Sequence, residues 1–193
     1  MNTQKEIEIF CPASQKDWRE WLMENHASKQ SVWLVYHKIK SNVPSISWSQ
    51  AVDEALCFGW IDSTARPIDD QTFMQFFCKR KPKSVWSKIN KAKVERLISE
   101  GLMTQAGFDS IEKAKDNGSW IILDEVEAFK IPKDLMTAFK AQRGSKPFFL
   151  SLSKSVQKSI LQWLILAKKT ETRQKRIDEI ALLAGQKRKP KQF

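Results

Sequence analysis

Two short stretches of this chain alternate with a period of two, while its other apolar residues recur at helical spacing, and that contrast limits the architectures open to it. In residues 31–37, Val32, Leu34 and Tyr36 alternate against Trp33, Val35 and His37. In residues 71–79, Phe73 and Phe77 stand against Met74 and Phe76. β-branched and aromatic residues in strict alternation suit strands with two unlike faces. Residues 7–10 are short enough for an edge strand, and residues 60–63 supply a further strand that pairs with residues 71–79 as a hairpin or meander.

Helical spacing and capping residues account for most of the remainder. Trp18, Trp21 and Leu22 mark a helix opened by Ser14 and running to about His26. Ser47 and Gln50 fit a capping box for a helix to Phe58, with Trp48, Val52, Ala55 and Leu56 as its apolar face and Gly59 as its stop. Ser84 or Ser87 caps a basic helix ending at Gly101, and Thr104 begins another closed by Gly118. The acidic stretch Asp124 to Glu127, then Pro132, marks a boundary. Beyond it, Leu135, Met136 and Phe139 mark one helix, Val156, Ile160, Trp163 and Leu164 the next, and Ile177, Ile180 and Ala184 the last. The expectation is an α+β fold with a small antiparallel or mixed sheet and its helices in residues 1–123. An all-helical part follows in residues 124–185, then a basic, disordered tail in residues 186–193.

Composition narrows the function classes. The 193 residues are 41% hydrophobic, with eight Trp and eleven Phe, which is enough to bury a core. The apolar stretch 160–167 falls far short of the ~20 residues a spanning helix needs, so no membrane span is expected. Met1 to Glu6 leads on without the apolar run of an export signal, so no export is expected and a cytoplasmic location is the expectation. Cys11, Cys57 and Cys78 show no paired spacing, and His26 and His37 have no ligand at metal-binding distance in sequence, so no metal site is expected. Six Gly form no phosphate-binding loop, and no cofactor is expected.

The net charge of +11 is concentrated in two segments. Residues 79–96 hold eight basic residues against Glu95 alone, and residues 168–191 hold nine against three acids. Lys79, Arg80, Lys81, Lys83, Lys88 and Lys91, near Phe76 and Trp86, form a candidate surface for nucleic acid or another anionic partner, because phosphates attract clustered cations and exposed rings stack on bases. The same pattern also describes the solvated face of an amphipathic helix with the two aromatics in the core. Lys168, Lys169, Arg173, Lys175 and Arg176 offer a second anionic-partner surface.

A cleft bordered by Cys57, Trp60, Asp62, Trp86 and Asn90 is the alternative site, for a small ligand or an uncharacterised reaction. There, Cys57 is either a nucleophile or a packed thiol at a helix end that disfavours thiolate. Asp62 is either a base or the partner of Arg66 or Lys79 in an ion pair across the sheet. His37 reads as a packed or edge histidine, and none of these residues forms a recognisable triad.

Four runs carry a family resemblance: AVDEALCFGWIDS at residues 51–63, KPKSVWSKIN at 81–90, EGLMT at 100–104 and AKKTETRQKRI at 167–177. They resemble the YdeI/OmpD-associated, or bacteriocin-protection, family of bacterial proteins. The resemblance implies a link to envelope stress or resistance and brings no catalytic residue or cofactor; the expectation drawn from the residues is a noncatalytic binding protein, with an enzyme as an alternative. Where that family often has Ser-Pro-Arg-Arg before the proline, this chain has Cys78, Lys79, Arg80 and Lys81 before Pro82, which keeps the charge and loses one rigid turn residue.

Overall fold

A computed structural model describes residues 7–193, so Met1 to Glu6, scanned above for an export signal, lie outside the described residues. The fold is α+β, with a four-stranded mixed sheet toward the N-terminus and helices dominating the rest. Two compact units divide the chain, the first ending at Trp120 and the second running Ile121–Phe193.

In the first unit the strands are β1 (Ile9–Phe10), β2 (Ser31–His37), β3 (Trp60–Pro67) and β4 (Thr72–Lys79), in the order β1-β2-β4-β3. β1 runs parallel to β2, and β4 runs antiparallel to both β2 and β3. The alternation sorts the side chains: Val32, Leu34, Tyr36, Gln75 and Phe77 are buried, whereas Trp33 and Phe76, cross-strand partners, are half-buried. A bulge between Asp62 and Ala65 interrupts the β3–β4 ladder.

Among the described residues four α-helices, α1 (Gln15–Asn25), α2 (Trp48–Cys57), α3 (Lys88–Ser99) and α4 (Gln105–Asp116), and a short 3-10 helix at Ile39–Ser41 complete this unit. Capping boxes open α1 at Ser14 with Asp17 and α2 at Ser47 with Gln50, each replacing the missing first-turn acceptors. Ser87, rather than Ser84, caps α3. Trp18, Leu22, Leu34, Ala55, Trp60, Phe77, Trp86 and Leu97 lie in one core, with Trp21 5.1 Å from Trp18 and 5.8 Å from Trp60. Trp48, expected on the buried face of α2, is instead 48% exposed, because its position in the first turn lets the indole N–H reach Asp62 at 2.9 Å.

Gly59 is the pivot between α2 and β3. It sits at φ 69°, and a Cβ there would lie 2.7 Å from the Ala106 carbonyl oxygen, so only glycine permits this turn and this approach of α4 together. Thr104, at the N-cap of α4, donates its hydroxyl to the Cys57 carbonyl at 2.7 Å and so ties the end of α2 to the start of α4.

The second unit is helical: α5 (Asp124–Glu127), α6 (Lys133–Ala141), α7 (Ser145–Ser151), α8 (Lys154–Ile165) and α9 (Thr170–Gly185). α9 packs on α6, α7 and α8 through Ile177, Ile180, Ala181 and Ala184. Arg173 reinforces this packing, donating through Nε and Nη2 to Asp134 of α6 at 2.7 and 3.1 Å and through Nη1 to the Leu164 carbonyl of α8. α7 carries no periodic signature, because its three-residue apolar run after Pro147 is too short to show one. Residues 186–193 turn back so that Pro190 is buried and the Phe193 ring lies 5.7 Å from Trp163. Among the described residues, no helix is long and apolar enough to cross a membrane.

Candidate functional site

Where α1 ends, the α2–β3 turn passes and β4 leaves the sheet, the first unit has a cleft of about 290 Å³. His26 and Ala27 come from the end of α1, Phe58 and Gly59 from the turn, Trp60 from β3, and Lys79, Arg80 and Pro82 from the exit of β4. Ala106, Asp109, Ser110 and Lys113 line it from α4. Gly59 sets this arrangement twice over: it lets α4 approach, and its carbonyl accepts the Arg80 backbone N–H at 2.9 Å.

Arg80 is the least comfortable side chain in the cleft. Its guanidinium carbon lies 3.6 Å from the centre of the Trp86 ring, and Nη1 donates to the Ser84 hydroxyl at 3.3 Å and the Val85 carbonyl at 3.1 Å. Its Nε is buried without a partner, as is Trp86 Nε1 beneath it. Burial pushes the Arg80 guanidinium down to about 10, the charge of Asp62 only partly opposing that shift. No carboxylate of the described residues forms an ion pair with it. A desolvated cation–π contact contributes about 2 kcal/mol, less than the several kcal/mol cost of taking an ion out of water. An anion bound at the cleft would offset the difference.

The other cations of the cleft are less constrained. Lys79 donates one of its three N–H bonds to the Ala27 carbonyl at 2.6 Å, and Lys113 is exposed on α4. His26 engages the Leu22 carbonyl through Nδ1 at 2.8 Å, which leaves Nε2 as the unengaged ring nitrogen. Asp109 is the single acid in the lining, and it accepts from Gln105 at 2.7 Å.

The basic run thus divides by environment. Lys79 and Arg80 enter the cleft, Lys81, Lys83 and Lys88 are exposed, and the half-exposed Lys91 lies 5.2 Å from the Trp120 ring. Further along α3, Lys93 and Arg96 both bind Asp53 of α2 at 2.6 Å and Arg96 also pairs with Glu100 at 2.8 Å, which neutralises that part of the helix. The aromatics do not accompany the cations on a surface. Trp86 is 1% exposed, and Phe76 packs edge-on against Trp33, 5.0 Å away on the other face of the sheet.

Of the residues assigned from sequence to an alternative cleft, only Trp60 lines this one. Cys57 is wholly buried, its thiol pushed up to about 11 by burial and by neighbouring Glu54. Trp86 lies under Arg80, and the Asn90 backbone N–H is bound by the Ser87 cap. Asp62 does not form the expected ion pair: it accepts from Trp48 Nε1 and Gln75 Nε2, both at 2.9 Å, while Arg66 instead lies 4.9 Å from the Trp33 ring. His37 is half-buried, with Nε2 3.7 Å from the Cys11 sulfur. The sequence patterns missed His26, Asp109, Ser110 and Lys113 because nothing in their local spacing shows that the end of α1 and one side of α4 meet the exit of β4. Among the described residues, no cluster of His, Cys, Asp or Glu is arranged to hold a metal.

Residues 10–110 match the family described as a domain of unknown function, DUF8412. Residues 128–186 match the family described as bacteriocin-protection, YdeI or OmpD-associated. The motif at residues 167–177 falls inside the second match, whereas those at 51–63, 81–90 and 100–104 fall inside the first. No curated protein and no solved structure gives a significant match to the chain.

Proposed function

The chain belongs to the DUF8412 family through its first unit and carries a YdeI/OmpD-associated region in its second, and from that premise we propose that it is a noncatalytic binding protein holding a small anionic ligand in the cleft of the first unit. The observation that carries this reading is Arg80, a largely buried guanidinium that no carboxylate of the described residues pairs, in a cleft that also holds Lys79 and Lys113. A protein gains nothing in stability from such a cation, whereas an anion would find it desolvated and already oriented.

The broader notion of an anionic partner includes nucleic acid, for which the exposed Lys81, Lys83 and Lys88 are the support. The pairing of Lys93 and Arg96 with Asp53 and the burial of Trp86 weigh against a polymer lying along α3. Titration of the whole protein with inorganic phosphate, acetate and single-stranded DNA across a salt series separates the two. One small anion should bind per chain near physiological salt and be lost in Arg80→Gln, while DNA attraction should vanish by the same salt. DNA binding that persists there, falls with a slope of several phosphates and is indifferent to Arg80→Gln would replace the cleft with the lysine surface.

A further inference from the structure

The cleft has a second character that an inorganic anion would leave unused. Beside its cations stand Ala27, Phe58, Trp60, Pro82 and Ala106, an apolar share of the lining contributed by four separate parts of the first unit. We infer that the ligand is an organic acid, a carboxylate head on a flat apolar body such as an aromatic ring, and this rests on the anion site proposed above. Three features of the cleft select this class.

The head group is the first. Arg80 cannot offer a full two-pronged edge, because Nη1 already serves Ser84 and Val85 and Nε is sealed from solvent. A head with two oxygens, shared between Arg80 and the remaining donors of Lys79, suits that supply better than the three oxygens of a phosphoryl group. Charge is the second. Asp109 lies in the same lining and disfavours a dianion more than a monoanion. The third is the body. At about 290 Å³ the space is at the small end of pockets that take organic molecules, roughly 300 to 1,000 Å³, and such pockets combine apolar walls with a few fixed polar groups. An aromatic ring would cover the wall that acetate or phosphate leaves wet.

The test uses the intact protein and three probes at constant ionic strength: benzoate, acetate and benzamide, followed by chemical-shift titration. Benzoate should bind about tenfold tighter than acetate, and the neutral benzamide should not bind measurably. Ala106→Leu, which fills the apolar side, should lower the affinity for benzoate more than that for acetate and so shrink the advantage of benzoate, with the circular dichroism spectrum confirming an intact fold. Equal affinity for acetate and benzoate would overturn the ligand class while leaving the anion site standing. Binding of neither anion would overturn both, and benzamide binding as tightly as benzoate would overturn both by showing that charge plays no part.

Discussion

Arg80 and Cys57 show how a single position can be reactive in sequence and different in place. Among the lysines and arginines of residues 79–96, Arg80 looks like one charge in a solvated run, yet the turn at Gly59 and the ring of Trp86 take it out of water. Cys57, read from sequence as either a nucleophile or a packed thiol, is a packed thiol that α4 closes over. With its thiol pushed up to about 11 and no exposure, Cys57 should stay unreacted toward a thiol-specific reagent at pH 8 while the exposed Cys11 reacts at once. Mass spectrometry of the native and denatured protein checks this, and native labelling of Cys57 at the rate of Cys11 would show the helix end to be open.

At the scale of elements, the capping residues were the most readable part of the sequence and the ties between elements the least. Ser14, Ser47 and Ser87 announce their helices because capping chemistry is local. Asp53 to Lys93 and Arg96, and Asp134 to Arg173, join residues about forty positions apart, and no spacing rule links them. The Asp134 tie has a pH signature. Hydrogen bonds from Arg173 hold the Asp134 carboxyl below its usual range, so its contribution is complete above the unfolded value of about 4 and is lost as pH falls through the lower folded value. Asp134→Asn should therefore lower the melting temperature of the second unit at pH 7, and the gap from the unsubstituted protein should close toward pH 2. A gap that stays constant over that range would mean that the carboxylate charge does not contribute.

For the whole molecule, the α+β class, with the sheet and its helices ahead of an all-helical part, followed from two periods in one chain, because alternation and helical spacing survive any tertiary arrangement. The cleft did not follow, since it is assembled from the ends of α1, α2 and β4 and one side of α4, and only the fold brings those together. The family matches likewise divide where the chain divides, one within the first unit and one within the second. Anion binding in the cleft concerns the first unit alone and makes stability and binding move in opposite senses at Arg80. Thermal unfolding of the protein and of Arg80→Met, each with and without benzoate, tests it most directly. Arg80→Met should melt no lower than the unsubstituted protein and should lose the rise in melting temperature that benzoate brings. A variant that melts several degrees lower and still gains stability from benzoate would contradict it, because Arg80 would then be a structural residue and the anion would bind elsewhere.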